Sequence, residues 1–221
     1  MTDARVRLAG EDVLLLPERA LFWPRAGTLI AADFHWGKGA TFRAAGIPIP
    51  GGATRDDLER LDAALLRTCA RRLIVLGDLF HARAGRIATR TLSELRRWRN
   101  ERAELEIMLV RGNHDRHAGD PPDDLRINCI NAPSFVPPFV LRHEPDGTAG
   151  RYTLSGHLHP GVVLAGPGLQ RERLPCFWLT PRTTILPAFG GFTGLAIVTP
   201  APEDRVFVIA DDEVVPVVLR G

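Results

Sequence analysis

Apolar runs that end abruptly in metal-capable side chains recur along this chain, and that recurrence limits what it can fold into. Leu105 to Val110, broken only by Glu106 and followed by Arg111, leads straight into Gly112-Asn113-His114-Asp115. Thr28-Ala32 stops at Asp33-Phe34-His35, and Leu73-Leu76 ends in Gly77-Asp78-Leu79-Phe80-His81. Phe139-Arg142 is followed by His143, and Arg151-Ser155 by Gly156-His157-Leu158-His159. In open α/β folds the carboxyl end of a buried strand is where ligands tend to sit. Six of the seven histidines lie in these five blocks; only His117 falls outside, two residues past Asp115. Taken singly, each Asp or His reads as an ordinary cap, turn or structural residue. Five such endings in one chain point instead to one assembled site.

Between the blocks the apolar period changes. Thr54 to Arg71 reads as a helix, with Thr54 as cap, Asp56 and Asp57 in the first turn, and Leu58, Leu61, Leu65 and Leu66 on one face. Ala88 to Arg102 reads as a second helix, with Leu92, Leu95 and Trp98 inward. Val13-Leu16 and Leu21-Trp23 read as short strands. The first half is then strand, helix, strand, helix, strand, the pattern of a parallel sheet with crossover helices. After Pro133 the runs Phe139-Arg142, Arg151-Leu154, Val162-Leu164, Thr184-Leu186, Leu195-Val198, Val206-Ile209 and Val214-Leu219 are short and separated by turn residues. The expectation is a single domain over residues 1–221, with two packed sheets and helices outside. The helix at 88–102 carries Arg90, Arg96, Arg97, Arg99 and Arg102. Glu94 and Glu101 lie within helical reach of them, so a solvated face laced with ion pairs is favoured over a nucleic-acid surface.

Composition adds bounds rather than direction. A chain of 221 residues, 45% hydrophobic, can bury one substantial core. A net charge of +2 argues for neither nucleic acid nor membrane. The apolar runs at the N-terminus are short and broken by charge, so neither a signal peptide nor a membrane span is expected, and the expected location is cytoplasmic. Cys69, Cys129 and Cys176 are too scattered for a disulfide framework. Among 28 basic residues the one lysine, Lys38, stands three residues past His35.

Two Asp, one Asn and four His, with no Cys, form an oxygen-and-nitrogen donor set that suits manganese, iron, zinc or cobalt better than calcium or magnesium. Seven ligands exceed one tetrahedral site. Two ions sharing a carboxylate, roughly 3.5–4 Å apart, could hold a hydroxide between them and clamp a phosphate oxygen for in-line attack.

The order D-x-H, G-D-x-x-H, G-N-H-D, H and G-H-x-H resembles the calcineurin-like metallophosphoesterase superfamily, with all five blocks present. The resemblance implies a four-layer α/β/β/α sandwich of two mixed sheets with outer helices and the metals at the strand ends. Carried onto matching positions, it implies one metal on Asp33, His35, Asp78 and His159. The other would lie on Asp78, Asn113, His143 and His157, with Asp78 bridging. His114 would meet the scissile phosphate and help the leaving oxygen depart. Asp115 would fix its ring, and His81 would support the site or touch substrate.

The text from Ala31 to Pro50, with Gly156-Gly161, Leu174-Trp178 and Leu186-Gly190, is similar to the bacterial ligase-associated DNA damage response metallophosphoesterases. That resemblance implies a manganese-dependent DNA endonuclease or phosphodiesterase acting in DNA repair, encoded beside a DNA ligase, an exonuclease and a helicase. It also implies a preference for single-stranded or unpaired DNA. Lys38 and Arg43 become candidates for holding flanking phosphates, each against a plain surface role. Gly46-Pro50 reads as a rim loop stiffened by its prolines. Phe34, Trp36 and Phe42 could stack on a base, although core anchoring is favoured. The competing readings are a phosphoesterase of nucleotides or another small diester or pyrophosphate, a lipid-precursor enzyme, and a non-catalytic scaffold in a repair complex. No membrane-docking insertion is present to favour the lipid reading, and a scaffold would be expected to have lost ligands.

Overall fold

Seven strands form the first sheet in the order of the chain: β1 (Ala4–Leu8), β2 (Glu11–Leu16), β3 (Ala20–Trp23), β4 (Thr28–Ala31), β5 (Arg72–Val75), β6 (Glu106–Val110) and β7 (Ile127–Ile130). The computed structural model describes residues 1–146, 150–165 and 171–217. β1 to β4 pair antiparallel and β4 to β7 parallel. Parallel neighbours need crossovers. Those are α1 (Lys38–Ala44) and α2 (Ala53–Thr68), then α3 (Arg83–Arg86) and α4 (Thr89–Glu101), then the short α5 (Asn113–Ala118).

The strands are apolar on both faces because both are covered. Leu29 and Ala31 of β4 pack with Leu58, Leu61 and Leu65 of α2 and with Leu95 and Trp98 of α4. Ile30 and Ala32 point the other way, into a second core shared with Phe139, Leu141 and Phe177. Leu66, expected on the inner face of α2, is 69% exposed. One residue past Leu65 it turns about 100° away from the sheet. Gly52, with φ of 116°, takes the N-cap in place of Thr54, which lies inside the first turn.

The second sheet holds β8 (Ser134–Val136), β9 (Phe139–Leu141), β10 (Tyr152–Ser155), β11 (Pro160–Ala165), β12 (Arg171–Leu179), β13 (Thr183–Ile185), β14 (Ala196–Ile197), β15 (Arg205–Ala210) and β16 (Glu213–Val217). Its order is β14-β11-β12-β13-β10-β9-β8, with β15 on β12 and β16 on β15, and the pairing is mixed. Leu219, in the last expected strand, lies outside the described residues. The two mixed sheets with outer helices match the expected sandwich. Among the described residues the helices come from the first half of the chain and cover the first sheet. The outer face of the second sheet carries a smaller cluster of Val162, Cys176, Val206 and Val208.

Of the pairs expected along α4, Arg90 with Glu94 forms within the helix, while Arg96 and Arg102, the latter just past its end, reach carboxylates elsewhere. Arg90 meets Glu94 at 3.2 Å, Arg96 meets Asp124 at 2.6 Å and Arg102 meets Asp62 at 3.0 Å. Arg99 is buried and donates to the Leu125 carbonyl at 2.8 Å. No described helix is long and apolar enough to cross a membrane.

Candidate metal centre

All five blocks meet at the carboxyl ends of β4, β5, β6, β9 and β10, where the two sheets adjoin. An isolated parallel bridge between Ala32 and Ala188 ties the sheets there. Asp33, His35, Asp78, His157 and His159 all hold positive φ, between 47° and 72°. Side chains larger than glycine enter that region at a cost, on the order of 1–3 kcal/mol each, which neighbouring structure must offset. The Asp33 N–H donates to Gly77 O at 3.1 Å, and the His35 N–H to Asp78 O at 2.9 Å, so the first two blocks lock each other.

Two motif glycines are required by close approach. A Cβ on Gly77, whose φ is 84°, would stand 2.3 Å from His143 Nδ1, and one on Gly112 would stand 2.3 Å from Asp78 Oδ1. Any larger residue at either place would displace a donor.

The donors converge in two groups about Asp78. His35 Nε2 lies 3.2 Å from His159 Nε2 and 3.7 Å from Asp78 Oδ2, and His159 Nε2 lies 3.5 Å from Asp33 Oδ1. On the other side His143 Nε2 is 3.3 Å from Asp78 Oδ2, 2.9 Å from Asn113 Oδ1 and 3.1 Å from His157 Nδ1. Backbone carbonyls fix the rings. His143 donates through Nδ1 to Leu76 O at 2.8 Å and His159 through Nδ1 to Gly194 O at 3.3 Å, which turns each Nε2 inward. His35 uses its outer nitrogen differently, with Nδ1 3.4 Å from Nδ1 of His81.

The Gly112-Asp115 block begins α5 rather than forming an open loop. His114 donates through Nδ1 to the His81 carbonyl at 2.6 Å, which leaves Nε2 facing the site, 4.0 Å from Asp78 Oδ2. The His81 and His114 rings stack at 5.1 Å. Asp115 does not hold the His114 ring, contrary to what the resemblance implied. Its buried carboxylate accepts the backbone N–H groups of Asp78 at 2.7 Å, Gly112 at 2.9 Å and Leu79 at 3.0 Å. Asp115 faces back under the loops because the first turn of α5 presents its own free N–H groups there.

Burial and the close carboxylates compete, and which one prevails differs from ring to ring. Burial pushes the His35 ring down to about 3, with His159, His114 and His81 adding to the effect and Asp78 opposing it. Burial, then Lys38, brings His81 to about 4. For His143 burial is outweighed by hydrogen bonding to Asp78 and the charges of Asp33 and Asp78, and the ring is held up at about 9. Asp78, also opposed by burial, is kept below its ordinary value by His143 and His35.

This donor set fits metal ions. Asp33 Oδ1 is fully buried and has no hydrogen-bond partner, an arrangement that is costly unless a cation meets it. The inward nitrogens of His35 and His159 point at each other with a carboxylate oxygen beside them. Asp33, His35 and His159 form one compact group and Asp78, His143 and His157 another, each able to hold a metal ion. A third group of His35, His81 and His114 shares His35 with the first.

The neighbouring residues sort differently from their sequence placement. Lys38, half-buried, begins α1 beside His81, with burial lowering its pKa. Arg43 donates through Nη1 to Ile49 O at 3.1 Å and Pro50 O at 3.3 Å and so ties down the 46–50 loop. Phe34 and Trp36 are core residues, with Phe34 packed on Phe189 at 4.4 Å. Phe42 stays at the rim, 6.2 Å from His81. Sequence reasoning missed Gly194, which acts on the His159 ring through its carbonyl and sits in no block of metal-capable residues.

The model of the family described as calcineurin-like phosphoesterase matches residues 28–191. The crystal structure of Pseudomonas putida nuclease MPE is similar over 98% of this chain and 100% of that one, at 39% identity and a TM-score of 0.85. Yfce, a phosphoesterase from E. coli, is similar over 84% of this chain and 88% of that one, at 17% identity and a TM-score of 0.39. No curated protein matches the sequence significantly.

Proposed function

The chain belongs to the calcineurin-like phosphoesterase family and is a metal-dependent phosphoesterase; on that premise we propose that it is a manganese-dependent DNA endonuclease acting in repair. The observation that carries the metal-dependent chemistry is the convergence on Asp78, with the buried Asp33 Oδ1 left without a partner. The nucleic-acid substrate is supported by full-length likeness to a Pseudomonas putida protein described as a nuclease. The resemblance to ligase-associated enzymes supports work alongside a DNA ligase, a helicase and an exonuclease.

In this reading Asp33, His35, Asp78 and His159 would hold one divalent ion, and Asp78, Asn113, His143 and His157 the other. Two such ions would supply positive charge against the phosphodiester and lower the pKa of a bound water. The protein's own groups do the rest. His114, with Nδ1 anchored on the His81 carbonyl, presents Nε2 to the leaving oxygen and gives it a proton. His81 props the His35 ring and orients His114. Asp115 holds the Asp78 and Gly112 loops in one register.

The test is a substrate panel on manganese-loaded protein: bis-p-nitrophenyl phosphate, single-stranded DNA and a nucleotide pyrophosphate. Hydrolysis of the first two is expected. No turnover of the simple diester would remove the phosphodiesterase reading, and turnover of the pyrophosphate without DNA cleavage would replace the nuclease with a nucleotide enzyme.

A further inference from the structure

A line of aromatic rings leaves the metal centre on one side. His114 stacks on His81 at 5.1 Å, His81 on Phe42 at 6.2 Å, and Phe42 meets Phe192 edge-on at 5.9 Å. Phe192 is 37% exposed, in contrast to Phe34 and Phe189, which are buried. Lys38 Nζ stands 5.4 Å from the Phe192 ring centre. Among the described residues no carboxylate pairs with this ammonium, and burial alone shifts it.

The loop that carries Phe192 is built to stay in place. Asp57 of α2 accepts the Gly191 N–H at 2.8 Å, Arg60 donates to the Phe189 carbonyl and lies 4.7 Å above the Phe189 ring, and Thr193 Oγ1 donates to Gly190 O at 2.9 Å. Two residues past Phe192, Gly194 O accepts from His159. The same short segment thus fixes an inward-facing histidine and an exposed ring. The braced loop holds an exposed ring beside the metal centre, with the Lys38 ammonium against that ring.

We propose that Phe192, Phe42 and Lys38 form a subsite for the nucleotide adjoining the scissile phosphodiester, the rings receiving an unpaired base and Lys38 Nζ its phosphate. This rests on the nuclease reading above. Stacking on an aromatic ring tolerates every base, and the base must be unpaired to reach one. A paired base keeps its faces inside the duplex, so the subsite selects single-stranded stretches without reading sequence.

The experiment compares kcat and KM for a single-stranded oligonucleotide and for bis-p-nitrophenyl phosphate, which has no base to stack. In Phe192→Ala the ratio of the two kcat/KM values should fall on the order of tenfold, through the oligonucleotide KM. Phe192→Tyr should restore it. Lys38→Gln should flatten the salt dependence of the oligonucleotide KM by about one phosphate contact. Equal loss on both substrates, or no loss on either, in an enzyme whose wild type cuts DNA would overturn the subsite alone. A wild type that hydrolyses the small diester but not the oligonucleotide would overturn the nuclease reading and the subsite with it.

Discussion

The Asp115 carboxylate accepts the backbone N–H of Asp78 at 2.7 Å, so the third block of the site holds the second in place from beneath. One oxygen also takes the Gly112 N–H and the other the Leu79 N–H. In Asp115→Asn the amide oxygen can keep two of these donors, but the NH2 group must face the third. The expected cost is about 1.5–3 kcal/mol, read as a lower denaturation midpoint, with a fall in metal content. Unchanged stability with lost activity would instead place Asp115 on the substrate.

Asn113 and His114 are adjacent and should fail differently. Asn113 Oδ1 lies 2.9 Å from His143 Nε2, inside the donor set. Asn113→Ala is expected to lose metal and activity together. His114→Ala should keep metal content and slow hydrolysis by roughly 10²–10⁴-fold, as removal of a general acid does. Metal analysis beside the rate separates the two, and metal loss in the His114 variant would contradict the assignment.

The sheets and the donors were legible in the sequence because apolar strands ending in Asp and His leave a pattern that survives folding. What was not legible has separate physical causes. β12 was not expected because Pro175 interrupts it; the proline sits where the strand has only β11 beside it. Asp115 sits next to His114 in sequence, but its partners are backbone N–H groups, which no side-chain pattern records. Phe192 lies 150 residues from Phe42 in the chain, and only the closure of the second sheet onto the first brings their rings together.

Metal uptake should be coupled to protons through His143. Its ring is raised from 6.5 to about 9, so the metal-free protein holds a proton there at neutral pH. Because the folded value is the higher one, this stabilisation is fully present below 6.5 and is lost as pH rises through about 9. A bound cation needs the neutral ring, so binding near pH 7.5 should release a proton from His143, and none from it well above 9. His35, lowered to about 3, is already neutral and releases none. Calorimetric titration in buffers of different ionisation enthalpy measures this, and no release at pH 7.5 would contradict it.

Gly77→Ala tests the packing of the centre without removing a donor. Its Cβ would stand 2.3 Å from His143 Nδ1, on a backbone with φ of 84°. The ring must then leave its bond to Leu76 O, so metal content and activity should fall together with thermal stability. A variant with normal metal content would show that the ring has room to move.

If these donors serve a nuclease, closed circular single-stranded DNA is the most direct substrate, because it offers no end to attack. The wild type with manganese should convert the circle to linear molecules, and Asn113→Ala under the same conditions should leave it intact. A circle left intact by a wild type that turns over bis-p-nitrophenyl phosphate would contradict the account.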